Sequence, residues 1–513
     1  MTEVVIVKRG SYHDSARLMG IARELSALPG ITSADVMMGT AANVELLAAA
    51  GFPRTELGAA TPMDMVVALR AAGDQALAGA QETLAALLAG TPTRTGAAGS
   101  ERRSGSVGEA AALHPGANLV SIAVPGAYAA FVAQRALDAG KNVFLFSDNV
   151  PLPDEVALKA RGRELGLLVM GPDCGTAIIA GVGLGFANRV ARGPVGIVGA
   201  SGTGTQEICC LLERSGVGVS HAIGTGSRDL AAAVGGVMSE LALSLLAEDP
   251  GTRVVVLVAK HPAPEVAARL HGVLARIGKP AVVRYLGEPG RPAADGVIYA
   301  DSLDEAAAVA ATATGLEPRP ATADGAGPPD VRLSPLVPAG GRLVGLFGGG
   351  SLAAEAQHVL RTLGVETTVP ERALQPGTPI PGVGHLIVDT GDDAYTVGRP
   401  HPMVDQTVRC SLIRAAGADP AVGLILLDLV LGDGAHPDPA PEIVAAVASA
   451  RAGRDGKPLA VVCSVCGSRE DPQEPDRQAE SLRAAGIHVA ASAARAAGAA
   501  AALLGQVAER RPR

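Results

Sequence analysis

Tryptophan is absent from this sequence, and aromatic residues account for only 2% of it. The cores must therefore be filled by Ala, Val, Leu and Ile, as in alanine-rich α/β enzymes. No basic stripe with interleaved aromatics occurs, and the formal net charge is −8; both features argue against nucleic-acid binding. No uncharged apolar run reaches the roughly 18 residues a membrane span requires, because the alanine-rich stretches break at Gly, Arg or Glu. The opening "MTEVVIVKRGSYHDS" lacks a charged segment followed by a long apolar one, so no signal peptide is expected. Six cysteines in 513 residues do not make a disulfide framework, and a cytoplasmic location is expected. Cys209 and Cys210 read as small core residues. Cys463 and Cys466 follow a strand, without the helix N-terminus that a redox pair needs or a second pair at zinc spacing.

What the chain does have is 48% hydrophobic residues and length for three or four domains. Continuous apolar runs alternate with helical patterns, the pattern of parallel sheets covered by helices. The expected fold class is α/β: several Rossmann- or flavodoxin-like doubly wound domains plus a small amino-terminal α/β domain. The first segment, 1–90, has strand runs at Val4–Val7, Ala34–Met38 and Met65–Leu69, and a polar Gly/Ser/Arg stretch at 91–106 reads as a linker. Segment 107–192 has runs at Leu119–Val124, Asn142–Phe146 and Leu167–Met170. Segment 193–315 has them at Val195–Val198, Val217–Ile223, Arg253–Ala259, Pro280–Tyr285 and Gly296–Tyr299. A proline-rich stretch at 316–340 reads as a second linker. Segment 341–513 follows, with runs at Arg342–Phe347, His385–Asp389, Val422–Leu427, Leu459–Cys463 and Ile487–Ala490.

Segments three and four open alike, with "GPVGIVGASGTGTQEICCLL" and "GRLVGLFGGGSLAAEAQHVL". Each is strand, glycine turn, helix, and this looks like duplication of one unit. The first turn has no Gly at the fifth position of a nucleophile elbow, no Lys of a P-loop and no G-x-G-x-x-G dinucleotide fingerprint. Two readings remain: a tight turn with Ser201 as helix cap, or a cradle for a small anion. Ser201, Gly202, Thr203 and Gly204 are its candidate groups. Gly224, Thr225, Gly226 and Ser227 end the next strand, where ligands of open α/β sheets gather, and Arg228 beside them suits a substrate carboxylate. Gly349, Gly350 and Ser351, with Gly432 and Gly434, are the matching turns in segment four. In "DTGDDAYTVGRPHPMVD", Asp389, Asp392, Asp393, Arg399, His401 and Asp405 form a cluster able to supply a general base or hold Mg²⁺. His436 follows the later glycine turn. Asp389, His401, Asp405 and His436 are the catalytic candidates, and no dedicated metal set is expected. Lys8, Arg9 and His13 end the first strand and face a ligand of no specified kind.

The run "LVSIAVPGAYAAFVAQRALDAGKNVFLFSDNVPLPDEVALKARGRELGLLVMGPDCGTAI", 119–178, resembles the CoA-binding domain of the succinyl-CoA synthetase α subunit. "GPVGIVGASGTGTQE" resembles that subunit's phosphate-facing helix and "IGTGSRDL" its next loop. Segment four is similar to the β subunit's ligase domain, with the partner phosphate-facing helix expected at "LLDLVLGDGAH". The whole arrangement, with "VVIVKRGSYHDS" and "DTGDDAYTVGRPHPMVD", resembles the FdrA family. The resemblance implies a CoA-like pocket at Pro125, Ser147, Asn149 and Pro151, with CoA, phosphate or carbamoyl phosphate as candidate ligands and Mg²⁺ as a candidate ion. It also implies a small-molecule substrate and further protein subunits, with a homo-oligomer left open and no membrane partner. The synthetases' phosphorylated histidine has no counterpart in "EPGRPAADGVIYADS", and their ATP-grasp domain none in 316–340. Oxamate carbamoyltransferase in purine and allantoin breakdown, a role proposed for FdrA-type proteins, needs neither. An acyl-CoA synthetase with a separate partner and a non-catalytic CoA- or phosphate-binding subunit are the alternatives.

Overall fold

The computed structural model describes residues 2–89, 104–317 and 341–505, apart from 12, 14, 27, 59, 376, 377, 383, 397–399 and 455. Both expected linkers fall mainly outside the described residues, as does Arg399. The chain divides into two compact units, one formed by 1–103 with 396–405 and the other by 104–395 with 406–513.

The first unit holds strands β1 (Thr2–Lys8), β2 (Ile31–Met38) and β3 (Met65–Ala71), with β3 central and antiparallel to both neighbours. Here the expected parallel pattern gives way to an antiparallel sheet. Alternation along β3 covers both faces. Met65, Val67 and Leu69 pack with helices Ser15–Ser26 and Asp74–Ala89, while Val66 and Ala68 pack with Leu47, Phe52 and Leu57.

The second unit contains three sheets, two wholly parallel and one parallel with an antiparallel hairpin at its edge. The first has β4 (Leu119–Ile122), β5 (Asn142–Leu145) and β6 (Val169–Met170) in sequence order. The hairpin β7 (Thr176–Ile179) and β8 (Val182–Gly185), which the apolar runs did not reveal, leaves this layer and becomes the edge of the next sheet. That sheet continues with β9 (Arg192–Ala200), β10 (Val219–Gly224), β11 (Val254–Lys260), β12 (Ala281–Leu286) and β13 (Val297–Tyr299), in the order β13-β12-β11-β9-β10-β7-β8. The last sheet is wholly parallel: β14 (Arg342–Phe347), β15 (Thr367–Thr368), β16 (His385–Asp389), β17 (Val422–Val430), β18 (Ala460–Cys466) and β19 (His488–Ala490), ordered β15-β16-β14-β17-β18-β19. Every residue of β17 is buried, as a parallel strand covered on both faces requires.

β9 and β14 occupy the same place in their sheets. In each, the chain first builds to one side of that strand and then to the other, so each stands at a topological switch point, where ligands of open α/β sheets bind. Each feeds a helix, Gly202–Arg214 and Gly350–Thr362. These two helices pack on each other and on helices Leu303–Ala313 and Ala493–Leu503. The sixth residue of each is a buried glutamate that caps a helix of the opposite half. Glu207 Oε1 accepts from Ala493 N at 2.9 Å, and Glu355 Oε1 accepts from Leu303 N at 2.6 Å. The duplicated opening is therefore matched by a pseudo-symmetric interface.

Of the two, only Glu355 forms an ion pair there among the described residues. Arg284 Nη2 and Nε donate to its Oε2 at 2.7 and 3.1 Å, and both side chains are fully buried. Glu355→Ala would leave the Arg284 guanidinium buried and unpaired, with an expected cost of about 3–5 kcal/mol. Replacing both residues, Glu355→Leu with Arg284→Met, should recover most of that loss; urea unfolding midpoints of the three proteins check it.

Candidate active site

The two glycine turns at the switch-point strands meet. Ser201 stands at the N-cap position of helix Gly202–Arg214, but its hydroxyl caps nothing; it donates to Ser351 Oγ at 2.7 Å. Helix Gly350–Thr362 starts at Gly349, likewise without a side-chain cap. The contact is reciprocal, because Thr203 lies against Gly349: a Cβ there would stand 2.6 Å from the Thr203 hydroxyl. Each helix thus sets its second residue against the other's cap position. The first-turn N–H groups of a helix have no acceptor within it, and each N-terminus carries about half a positive charge. Two such ends lie together with the hydroxyls of Ser201, Thr203 and Ser351 between them.

The two turns are built differently. In the second, the buried Asp428 carboxylate accepts from Gly348 N at 2.7 Å and Gly349 N at 3.1 Å, and Arg409 Nη1 holds it at 2.6 Å. Those two N–H groups are satisfied internally, which leaves Gly350 and Ser351 to face the first turn. A Cβ on Gly350 would collide with Asp389 Oδ2 and lie 2.5 Å from Lys260 Nζ. Asp389 ends β16 and accepts from Gly391 N at 3.0 Å. Desolvation holds its carboxyl above the usual carboxylate range, with the Asp392 and Asp428 charges adding to this and the Lys260 charge opposing it.

The other expected anion-binding residues are spent on holding loops. Gly224 packs against Cys174 and Gly226 against Pro172, and the buried Thr225 hydroxyl lies 3.2 Å from Ser239 Oγ. Ser227 Oγ donates to Asp173 at 2.8 Å. Behind this loop the buried Lys159 ammonium bonds Glu155, Asp229 and the Thr225 carbonyl. Arg228 pairs with Glu155 at 2.9 Å and donates to Val150 O, with its side chain partly exposed. The turn at Gly432 and Gly434 packs on residues 185–188, and the Gln473 side chain bonds both Gly432 N and O. It is not a helix start, since the next helix begins only at Ala440. The second helix expected at "LLDLVLGDGAH" is therefore the one that begins at Gly350. His436 follows that turn with Nδ1 accepting from Asp438 N at 3.0 Å and Nε2 3.0 Å from Glu442. His401 and Asp405 belong to the first compact unit and Asp389 to the second; His401 Nδ1 accepts from Met403 N at 3.2 Å.

At the expected CoA-like pocket, Pro125 and Pro151 precede helices Gly126–Asp138 and Leu152–Leu165, and Asn149 has a left-handed φ of 52°. The Ser147 hydroxyl is buried without a partner, an orphan donor consistent with a ligand at this loop. Among the described residues, no group of three or more His, Cys, Asp or Glu side chains is placed to hold a metal ion. All six cysteines are buried and free. Cys463 and Cys466 lie inside β18, and burial raises the Cys463 thiol to about 12.

Three family models match the chain. One described as "AllF, heavy metal-associated domain" covers residues 1–104, a CoA binding domain covers 191–284 and a CoA-ligase covers 346–503. The sequence is 36% identical over 505 residues to the uncharacterized protein YahF of Escherichia coli, spanning 96% of both chains. The chain belongs to the FdrA family. It is also 30% identical over 190 residues to succinate–CoA ligase α subunit 1 of Archaeoglobus fulgidus, covering 36% of this chain and 63% of that subunit. A solved structure, the dinucleotide-forming acetyl-coenzyme A synthetase 1 of Ca. Korarchaeum cryptofilum, aligns over 76% of this chain and 83% of its own at 18% identity and a TM-score of 0.32. Residues 1–104 of this FdrA-family chain contain no cysteine, so the soft thiolate ligands suited to a heavy metal are missing from the matched stretch. The CoA-binding match lies C-terminal to Pro125, Ser147, Asn149 and Pro151.

Glu207 lies five residues beyond the first helix start. Unlike Glu355, it has no ion pair among the described residues, and burial raises its carboxyl to about 7 despite the nearby Arg214. The folded state thus binds a proton that the unfolded chain, titrating near 4.5, releases. Stability from this group is full below pH ~4.5, falls between there and pH ~7, and sums to about 3 kcal/mol at most. Glu207→Gln should flatten the decline, melting above the parent at pH 8 and converging with it at pH 5.

Proposed function

We propose that this chain is an FdrA-type subunit of a transferase that makes or consumes carbamoyl phosphate. The reaction is that of oxamate carbamoyltransferase, in which oxalurate and phosphate give oxamate and carbamoyl phosphate. The observation that carries the reading is the 2.7 Å contact between Ser201 and Ser351, which joins two uncapped helix N-termini into one cradle. Such a cradle suits a phosphate group. It also supplies fixed donors for the oxyanion that forms when phosphate attacks the carbamoyl carbon. A P–O–C bond forms there, the C–N bond to oxamate breaks, and the proton of hydrogen phosphate passes to the departing amide nitrogen. Asp389, with its raised proton affinity, stands beside the Gly350 helix start and suits the relay of that proton. The match of residues 1–104 to an AllF model supports a place in allantoin breakdown.

A second reading is an acyl-CoA synthetase working with an ATP-grasp partner. The CoA-binding and CoA-ligase matches and the orphan Ser147 hydroxyl favour it. Against it, the chain has no histidine between Gly287 and Val297, after β12, to carry a phosphoryl group.

The deciding assay supplies oxalurate and phosphate to the purified chain, alone and with the products of neighbouring genes, and measures carbamoyl phosphate. Thioester formation dependent on ATP and CoA would overturn the first reading in favour of the second. Phosphate binding without turnover in any mixture would leave a binding subunit.

Gly202 tests the cradle itself. Beside its Cβ position the nearest atom is Thr176 Oγ1 at 3.9 Å, so a side chain fits. Gly202→Asp places a carboxylate at the helix start, where it is stabilising by about 0.3–1 kcal/mol. It should abolish phosphate binding in calorimetry while the melting temperature holds or rises. A variant that still binds phosphate would remove the cradle from the reading.

A further inference from the structure

Lys260 is the last residue of β11, and the register pairs Ala259 with Ala200, so Lys260 and Ser201 emerge side by side at the carboxyl edge of the sheet. Its ammonium lies 2.5 Å from where a Cβ on Gly350 would stand, against the start of the second helix. It is half-buried and forms no direct hydrogen bond or ion pair among the described residues, while its charge acts on the nearby Asp389 and Asp173 carboxyls. Arg228, by contrast, pairs with Glu155 and donates to Val150 O. An ammonium that makes no direct bond at this edge has its N–H donors left for an anion supplied from outside.

We propose that Lys260 holds the carboxylate of the carbamoyl donor and so selects donors that carry a carboxylate next to the carbonyl of the leaving amide. The inference rests on the transferase reading above. That reaction brings two anions, phosphate and a carboxylate, into one cleft. The two helix starts already serve the first, and their N–H groups point along the helix axes between Ser201 and Ser351. Lys260 stands to one side, next to Asp389, where the leaving amide must lie to take up its proton. A compact ammonium gives a point charge for a single carboxylate and offsets its repulsion from the phosphate. In this arrangement Lys260 orients the leaving group and Asp389 lies at the nitrogen that departs.

The test compares oxamate with its uncharged analogue oxamide, and inorganic phosphate as the reference ligand, by calorimetry on the full chain. The parent should bind oxamate about 10- to 100-fold more tightly than oxamide. Lys260→Met should erase that preference and leave phosphate affinity within about threefold, while Lys260→Arg retains most of it; thermal melts establish that each variant is folded. The proposal is overturned if the preference survives in Lys260→Met, if the parent shows none, or if phosphate affinity falls by the same factor as oxamate. Binding is read without turnover. Absence of carbamoyl phosphate in the assay above would therefore count against the transferase reading alone, and loss of the oxamate preference against the role of Lys260.

Discussion

Two helix N-termini repel each other, since each exposes unpaired N–H groups and a partial positive charge. In this protein the helices that begin at Gly202 and Gly350 nevertheless meet end to end, with Ser201 bonded to Ser351 and Thr203 set against Gly349. Much of the second unit acts to hold that contact. The buried Asp428–Arg409 pair ties down the second turn, leaving fewer free N–H groups at the junction. The glutamates at the sixth helix positions pin each helix to the far half. Arg214 donates to Val465, Gly467 and Ala491 across the same boundary. Orienting like ends together through this many contacts makes physical sense if an anion belongs between them.

The duplication behind this arrangement is not an exact copy, and the differences lie where chemistry would need them. Glu355 is neutralised by Arg284, whereas Glu207, buried beside Cys466 and without an ion pair among the described residues, has its carboxyl raised to about 7 by desolvation. Asp428 fills the second turn with a carboxylate, while the first turn closes on its own threonine, Thr205 Oγ1 donating to Ser201 O at 2.6 Å. One half is therefore bound mainly by ion pairs, and the other presents a neutral, hydroxyl-rich start. The asymmetry leaves the Gly202 side the more open of the two.

Strand positions were legible because buried parallel strands are continuous apolar runs, and those from Val195 to Val198 and from Val422 to Leu427 sit inside β9 and β17. The β7–β8 hairpin was not. Its turn is Ala180-Gly181, both at positive φ, and alanine there gives none of the Asn-Gly or Asp-Gly signal that marks such turns. The anion cradle was half legible. "GASGTG" and "GGGS" carried its residue types, but "LGDGAH" obeys the same local pattern. Which glycine turn faces Ser201 depends on strand order, and only the placement of β14 at its sheet's switch point decides it. Lys260 had no motif at all. It is the lysine that ends an apolar strand, and its relation to Gly350 arises from packing between segments some ninety residues apart.

The cradle's chemistry also narrows what it holds. In the loop after β12, where the resembled synthetases carry their histidine, Arg284 Nη1 donates to Glu288 O at 2.7 Å and Gly290 N to Asp301 at 2.8 Å, while residues 291–296 are exposed. No residue of that loop is a histidine, and in the transferase reading the anion between the helices is a free small molecule, phosphate. To enter between the helix starts, that molecule must replace a neutral hydroxyl–hydroxyl bond, worth about 1 kcal/mol, with charge-assisted bonds to both hydroxyls and to the first-turn N–H groups, each roughly twice as strong. A tetrahedral oxyanion has enough acceptors to reach both helices at once, whereas a planar carboxylate has only two oxygens to share between them. The same geometry that brings Ser201 to Ser351 therefore favours a phosphate between the helices and leaves the carboxylate to a separate cation at the edge.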